Sequence, residues 1–235
     1  MKKAHLFLPL LIGLILQSCS PPSYDLAIRD VKIFDAHQNE VLPHKTILVK
    51  GDYIAAIVDS HKTPKATKSI EGKDRLLTSG FIDSHIHLTD MFGDYDRAPE
   101  YLLPDSLDIY EERMKQTYLI YGTTTIADMG QPEKWLDVSL KWQTNPSPSR
   151  PNLFNAGGAI ISDEERRPYV SHTEVANADE ARKKIATYDS LGLKHIKLYW
   201  RLRKDDLQII TEEAKKRKLN MYGHNDQNVV SIQEA

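Results

Sequence analysis

The sequence predicts an α/β protein: a small, β-sandwich-like domain over residues 24–77, then βαβ units building a parallel sheet over residues 78–235. Two observations carry this. From Tyr24 to Leu77 apolar residues recur at period two, the mark of half-buried strands. After Leu77 short apolar strands alternate with amphipathic helical stretches, the pattern of parallel strands joined by helices.

In the first domain the alternating pairs are Leu26 and Ile28, Val31 and Ile33, Ile47 and Val49, and Ile54 and Ala56. Lys50-Gly51-Asp52 reads as a tight hairpin turn, because Gly and Asp tolerate the positive φ it needs. In the second part the expected strands are Gly80 to Leu88, Thr123 to Met129, Asn152 to Ala159, His195 to Trp200 and Leu219 to His224. A helix from about Ser106 to Tyr121 sets Leu107, Tyr110, Met114, Tyr118 and Tyr121 on one face. Asn177 caps a helix carrying Ala181, Ile185 and Tyr188, and Gly192 stands just past its end, where a left-handed residue is wanted. Leu207, Ile210 and Ala214 mark the next helix. The count suits about five of the eight strands of a TIM-type (β/α) barrel, since a closed barrel takes about 250 residues. The barrel is therefore expected to be partial.

The 235 residues are 40% hydrophobic and 27% charged, with a formal net charge of -2. This is globular composition, and without a basic stripe nucleic-acid partners are not expected. Lys2 and Lys3 precede an apolar run from Leu6 to Leu16, too short for the roughly 20 residues a membrane span needs. Leu16-Gln17-Ser18-Cys19 resembles a bacterial lipoprotein signal box. Residues 1–18 are then a signal peptide, Cys19 the lipidation site, residues 19–23 a tether, and the location the cell envelope, anchored to a membrane. Cys19 is the only cysteine, so no intrachain disulfide can form.

The strongest chemical signal is Gly80-Phe81-Ile82-Asp83-Ser84-His85-Ile86-His87. Residues two apart in a strand share a face, so His85 and His87 present two imidazoles that can hold one divalent ion. Taken alone, such a pair is more often structural or exposed at the surface. Asp83 reads as a residue that orients the strand or a neighbouring imidazole. His195 shares the face of Lys197, where a packed role and one at the edge of the substrate are both open. His37, His44, His61 and His172 fall in the β domain or in loops and are assigned no chemistry. Gly157-Gly158 reads as a turn at a strand end, not as a nucleotide loop.

The run Thr78 to His87 resembles the first-strand motif of the amidohydrolase superfamily, with Ser79 where proline is usual. Gly122 to Asp128 resembles its second strand, Gly192 to Tyr199 its fourth and Asn220 to His224 its fifth, in the order of the imidazolonepropionase-like and prolidase-like branch. The resemblance implies a site of two divalent ions, zinc first among the candidates, at the carboxyl ends of the barrel strands. His85 and His87 would hold one ion, a carboxylated Lys197 would bridge both, and His224 would hold the second. An ammonium beside Ile196 and Leu198 is costly to desolvate, whereas a carbamate is an anion that cations stabilise. An ammonium paired with a carboxylate, or reaching the strand end, is the plain alternative. The implied activity is hydrolysis of a carbon–nitrogen bond in a small molecule (an amide, cyclic amide or dipeptide) through metal-activated hydroxide. The family completes such a site with a sixth-strand histidine and an eighth-strand aspartate, both expected beyond Ala235, so this segment alone is expected to be inactive. Two alternatives stand beside this reading: an inactive fragment, and a lipid-anchored binding protein that keeps the fold.

Overall fold

The computed structural model describes residues 24–89, 107–164, 168, 169 and 171–224, the side chains of residues 107–110 excepted. Cys19 with its signal run and tether lies outside the described residues. The chain divides at Ser79/Gly80 into two compact units. Among the described residues no helix is long and apolar enough to cross a membrane.

The first unit is a four-stranded sheet in the order β3-β2-β1-β4, built from β1 (Tyr24–Asp35), β2 (Glu40–Lys50), β3 (Tyr53–Asp59) and β4 (Ala66–Leu77). β1 runs antiparallel to β2 and parallel to β4, and β2 and β3 meet at the expected two-residue turn, with Lys50 paired to Tyr53. Its buried residues include Ala27, Val31, Thr46, Ile47 and Leu48. Leu26 and Ile28, which lead the alternation in the sequence, are only half-buried. Asp30 stands at φ 49 where the pairing of β1 shifts register, and beyond that bulge it is Val31 that turns inward.

Among the described residues the second unit holds two parallel sheets and four α-helices. The sheet β5-β6-β7 contains β5 (Phe81–Ile86), β6 (Thr123–Asp128) and β7 (Asn152–Asn155). The sheet β11-β10-β8-β9 contains β8 (Ala159–Ser162), β9 (His172–Val175), β10 (His195–Leu198) and β11 (Asn220–Gly223). Helix α1 (Leu107–Thr117) joins β5 to β6, α2 (Leu136–Thr144) joins β6 to β7, α3 (Ala178–Ser190) joins β9 to β10, and α4 (Lys204–Lys216) joins β10 to β11.

Asn177 caps α3 as expected, its side chain accepting from the N–H groups of Asp179 at 3.1 Å and Glu180 at 3.0 Å, and Gly192 follows at φ 88. The helix α1 stops at Thr117 and the chain tightens into a 3-10 turn over Leu119–Tyr121. That rotation leaves Tyr121 exposed, while Met114 is fully buried.

Two features depart from the sequence reading. The run from Asn152 to Ala159 is not one strand: it breaks at residues 156–158, so that β7 pairs with β6 while β8 pairs with β10 and β9. The cause is close packing at the glycine pair. Gly157 sits at φ 73, and a Cβ there would lie 2.7 Å from Tyr188 Cε2; at Gly158 a Cβ would collide with Thr173 Oγ1. The second departure is β9 itself, which makes His172 the first residue of a strand and not part of a loop.

The helices cover one face of these strands. Ile86, Ile126 and Leu153 pack with Met114 of α1 and Trp142 of α2, and Ile160, Val175, Ile196 and Leu198 pack with α3 and α4. By strand alternation His85, Ala127, Phe154 and Lys197 face the opposite side. That side carries the chemistry.

Candidate metal centre

His85 occupies the end of β5 and His87 the residue just past it, and their ring centroids lie 5.3 Å apart in an edge-on arrangement. Asp83 acts on the backbone: the His85 N–H donates to Asp83 Oδ1 at 3.2 Å. His87 Nδ1 lies 3.1 Å from the carbonyl oxygen of Gly130, on the segment that leaves β6. A carbonyl only accepts, so this contact calls for the proton on Nδ1 and leaves Nε2 as the nitrogen a metal would use.

Lys197, in the middle of β10, is only 3% exposed and stands in register with Ala159 on one side and Tyr222 on the other. Burial lowers its pKa, and among the described residues no carboxylate pairs with it. His224 follows β11, its N–H donating to Leu198 O at 3.2 Å and its ring resting 4.7 Å from that of Tyr199.

The four groups share one electrostatic field. Burial lowers the His85 pKa, the charges of Lys197 and His87 lower it further, and Asp83 opposes them. Burial likewise lowers that of His224, assisted by Lys197, His85 and His87. Both imidazoles are therefore neutral at pH 7, the state in which histidine binds metal.

The structure thus brings His85 and His87 side by side, with Lys197 close enough to perturb both His85 and His224. It does not close a ligand shell: among the described residues no three His, Cys, Asp or Glu side chains gather at metal-binding spacing. His195 takes the packed role, its ring 5.7 Å from Phe154 and 5.6 Å from Tyr222 below the level of Lys197. His172, which the sequence left without a part, stacks 4.4 Å from Tyr199. Gly130, whose carbonyl holds His87, carried no sequence signal beyond being a glycine.

The chain's fold recurs in solved structures. The chain superposes on an amidohydrolase (TM-score 0.65, 18% identity, 85% of this chain and 55% of that one) and on phenylurea hydrolase B (TM-score 0.68, 17% identity, 85% and 55%). It also superposes on a putative prolidase from Bifidobacterium longum (TM-score 0.65, 18% identity, 86% and 50%). At these identities the likeness is one of fold. In sequence, 120 residues are 31% identical to a 5-methylthioadenosine/S-adenosylhomocysteine deaminase of Caldanaerobacter subterraneus subsp. tengcongensis, over 45% of this chain and 28% of that protein. No family model matches the chain. The chain spans about half the length of the solved structures it resembles.

Proposed function

We propose that the protein is a metal-dependent hydrolase of carbon–nitrogen bonds in small molecules. One observation carries the reading: a lysine that is 3% exposed and has no carboxylate partner among the described residues stands close enough to lower the pKa of His85, whose ring lies 5.3 Å from that of His87. A buried ammonium without a paired carboxylate costs free energy, whereas a carbamate would be stabilised by cations. The donor set therefore fits divalent metal. His85 and His87 would hold one ion, Lys197 as carbamate would bridge, and His224 would reach the second. When bound, such ions supply Lewis-acid polarisation of a carbonyl and a lowered pKa for water, and zinc suits mixed nitrogen and oxygen donors.

The chain's own residues prepare the site. Asp83 braces the His85 backbone, the Gly130 carbonyl holds the His87 proton on Nδ1, and burial keeps Lys197 inclined to the neutral amine that carboxylation requires. The names of the proteins it resembles, a prolidase, a phenylurea hydrolase and a deaminase, support carbon–nitrogen bonds as the target class.

The test is elemental analysis together with turnover on dipeptides, cyclic amides and phenylureas, before and after chelation, in a version of the protein that carries the sixth-strand histidine and eighth-strand aspartate the resemblance implies. His85→Ala with His87→Ala should remove most bound metal and all turnover. Full metal content and activity in that double variant would overturn the reading. The rival, a binding protein that keeps the fold, draws on the lack of a three-ligand cluster among the described residues. Metal-free protein that binds a small molecule without converting it would favour that rival.

The location we infer is the cell envelope, with lipid on Cys19. It is supported by Lys2, Lys3, the short apolar run and Leu16-Gln17-Ser18-Cys19.

A further inference from the structure

The Gly130 carbonyl can hold His87 only if its own peptide is held. Gly130 stands at φ 145, a backbone conformation that L side chains rarely adopt, and a Cβ there would press on Ala159 Cβ at 3.3 Å and His87 Cε1 at 3.4 Å. Both neighbours are tied. The Met129 N–H donates to Ile86 O at 2.9 Å, and the Gln131 N–H donates to Gly157 O at 3.1 Å.

Beneath this peptide lies a fully buried polar cluster. The Gln131 side-chain amide, 0% exposed, donates to Ser139 Oγ at 2.7 Å and to Asn155 Oδ1 at 3.0 Å. The Asn155 amide donates to the same Ser139 Oγ at 2.6 Å, while Asn155 Oδ1 also accepts the Gly157 N–H at 2.7 Å. Ser139 Oγ closes the set on the backbone of its own helix, 3.2 Å from both Trp135 O and Leu136 O. Three elements meet there: the segment after β6, helix α2, and the end of β7.

Packing alone does not account for these residues. Apolar side chains of similar volume would fill the space without desolvating amides, and Gln131 Oε1 is buried with no hydrogen-bond partner. The cluster keeps that unsatisfied acceptor while its two amides tie residue 131 to helix α2 and to Asn155, which in turn holds the Gly157 N–H.

We propose that Gln131, Asn155 and Ser139 form a positioning device for His87: they clamp the Gly130 peptide so that its carbonyl sets the tautomer and ring plane of the imidazole. The proposal rests on the reading of His87 as a metal ligand and adds three residues that touch neither metal nor substrate. A neutral imidazole free in water favours the proton on Nε2, the nitrogen a metal would need. A fixed acceptor at Nδ1 removes that competition and pre-orients the ligand.

The experiment uses the metal-free full chain with 15N-labelled histidine, whose two-bond proton–nitrogen spectra distinguish the two tautomers, His87 being assigned by loss of its signal in His87→Gln. The native chain should show His87 protonated at Nδ1. Gln131→Met, and the milder Ser139→Ala in case the first does not fold, should move it toward the Nε2 form. Zinc affinity should fall by about 10- to 100-fold, measured by competition with a chelator. Ile185→Val, in the α3 core and outside the hydrogen-bonded cluster, should lower stability and leave the tautomer alone. A folded Ser139→Ala or Gln131→Met chain whose His87 stays in the Nδ1 form overturns the positioning role. A tautomer that shifts while zinc affinity holds would instead overturn His87 as a ligand, so the two failures are distinguishable.

Discussion

The phenol of Tyr188 donates to Glu133 Oε1 at 2.6 Å, joining the buried face of α3 to the turn that precedes α2. The phenol oxygen of Tyr188 accepts the N–H of Gly158 at 3.0 Å, and Lys184 reaches both Glu133 oxygens at 2.8 Å. Burial, then the Glu133 carboxylate, push the phenol's pKa up, so it remains a donor throughout the working range. The break between β7 and β8 is held by this group.

Tyr188→Phe should therefore destabilise the protein beyond the loss of one hydroxyl. The Gly158 N–H would be left buried and unpaired, which costs about 1–3 kcal/mol. Urea denaturation monitored by circular dichroism reads this directly, and a variant as stable as the native chain would show that the break is held by other contacts.

Gly158→Ala should be worse than an ordinary glycine substitution, because the new methyl group meets Thr173 Oγ1. Overpacking of this kind costs about 1–3 kcal/mol. Combining it with Thr173→Ser leaves the hydroxyl in the way and should not rescue it, whereas Thr173→Gly should recover part of the loss.

The Glu133 ion pair gives the stability a pH signature. Burial alone would raise the Glu133 pKa, but hydrogen bonds from Lys184 and Tyr188 outweigh it and bring it below the ordinary 4.5. A group depressed on folding stabilises fully above its unfolded pKa and loses that contribution as pH falls through the folded value. The stability gap between native chain and Lys184→Met should thus be present at pH 7 and shrink at pH 3. A gap that widens on acidification would contradict the sign.

Lys197→Met separates folding from metal binding. Without metal, replacing a buried amine by an apolar side chain of similar size should leave the melting temperature unchanged or raise it. Bound metal in the same variant should fall sharply. A large loss of stability in the metal-free protein would show that the ammonium has a structural partner.

For the envelope location, Cys19→Ser should leave the protein in the soluble fraction or block its processing. A serine variant that stays on the membrane with unchanged mobility would exclude lipidation at that residue.

The layout of the second unit was legible because its signals are local. A period of two across His85 to His87, a cap at Asn177 and a glycine past α3 each act within a few residues. What escaped the sequence depends on chain segments far apart. The apolar run Asn152 to Ala159 looks continuous until Tyr188 and Thr173 are packed against its glycines. His172 to Val175 is four residues with only Val175 fully apolar, too short a signal for a strand, and it forms because β8 offers an edge to pair with. The histidine pair was visible at the centre, but its support was not. Gln131, Ser139 and Asn155 come from three separate elements, and nothing in their spacing announces that they meet.

The break at residues 156–158 also has a bearing on how the second unit opens. One short stretch of chain belongs to two hydrogen-bonded sheets, with β5, β6 and β7 on one side and β8 to β11 on the other. Slow amide exchange should then resolve into two cooperative blocks meeting at Gly157, each closing and opening at its own rate. His85 and His87 would ride with the first block, Lys197 and His224 with the second, so a pair of ions joined through Lys197 would make the two blocks exchange as one.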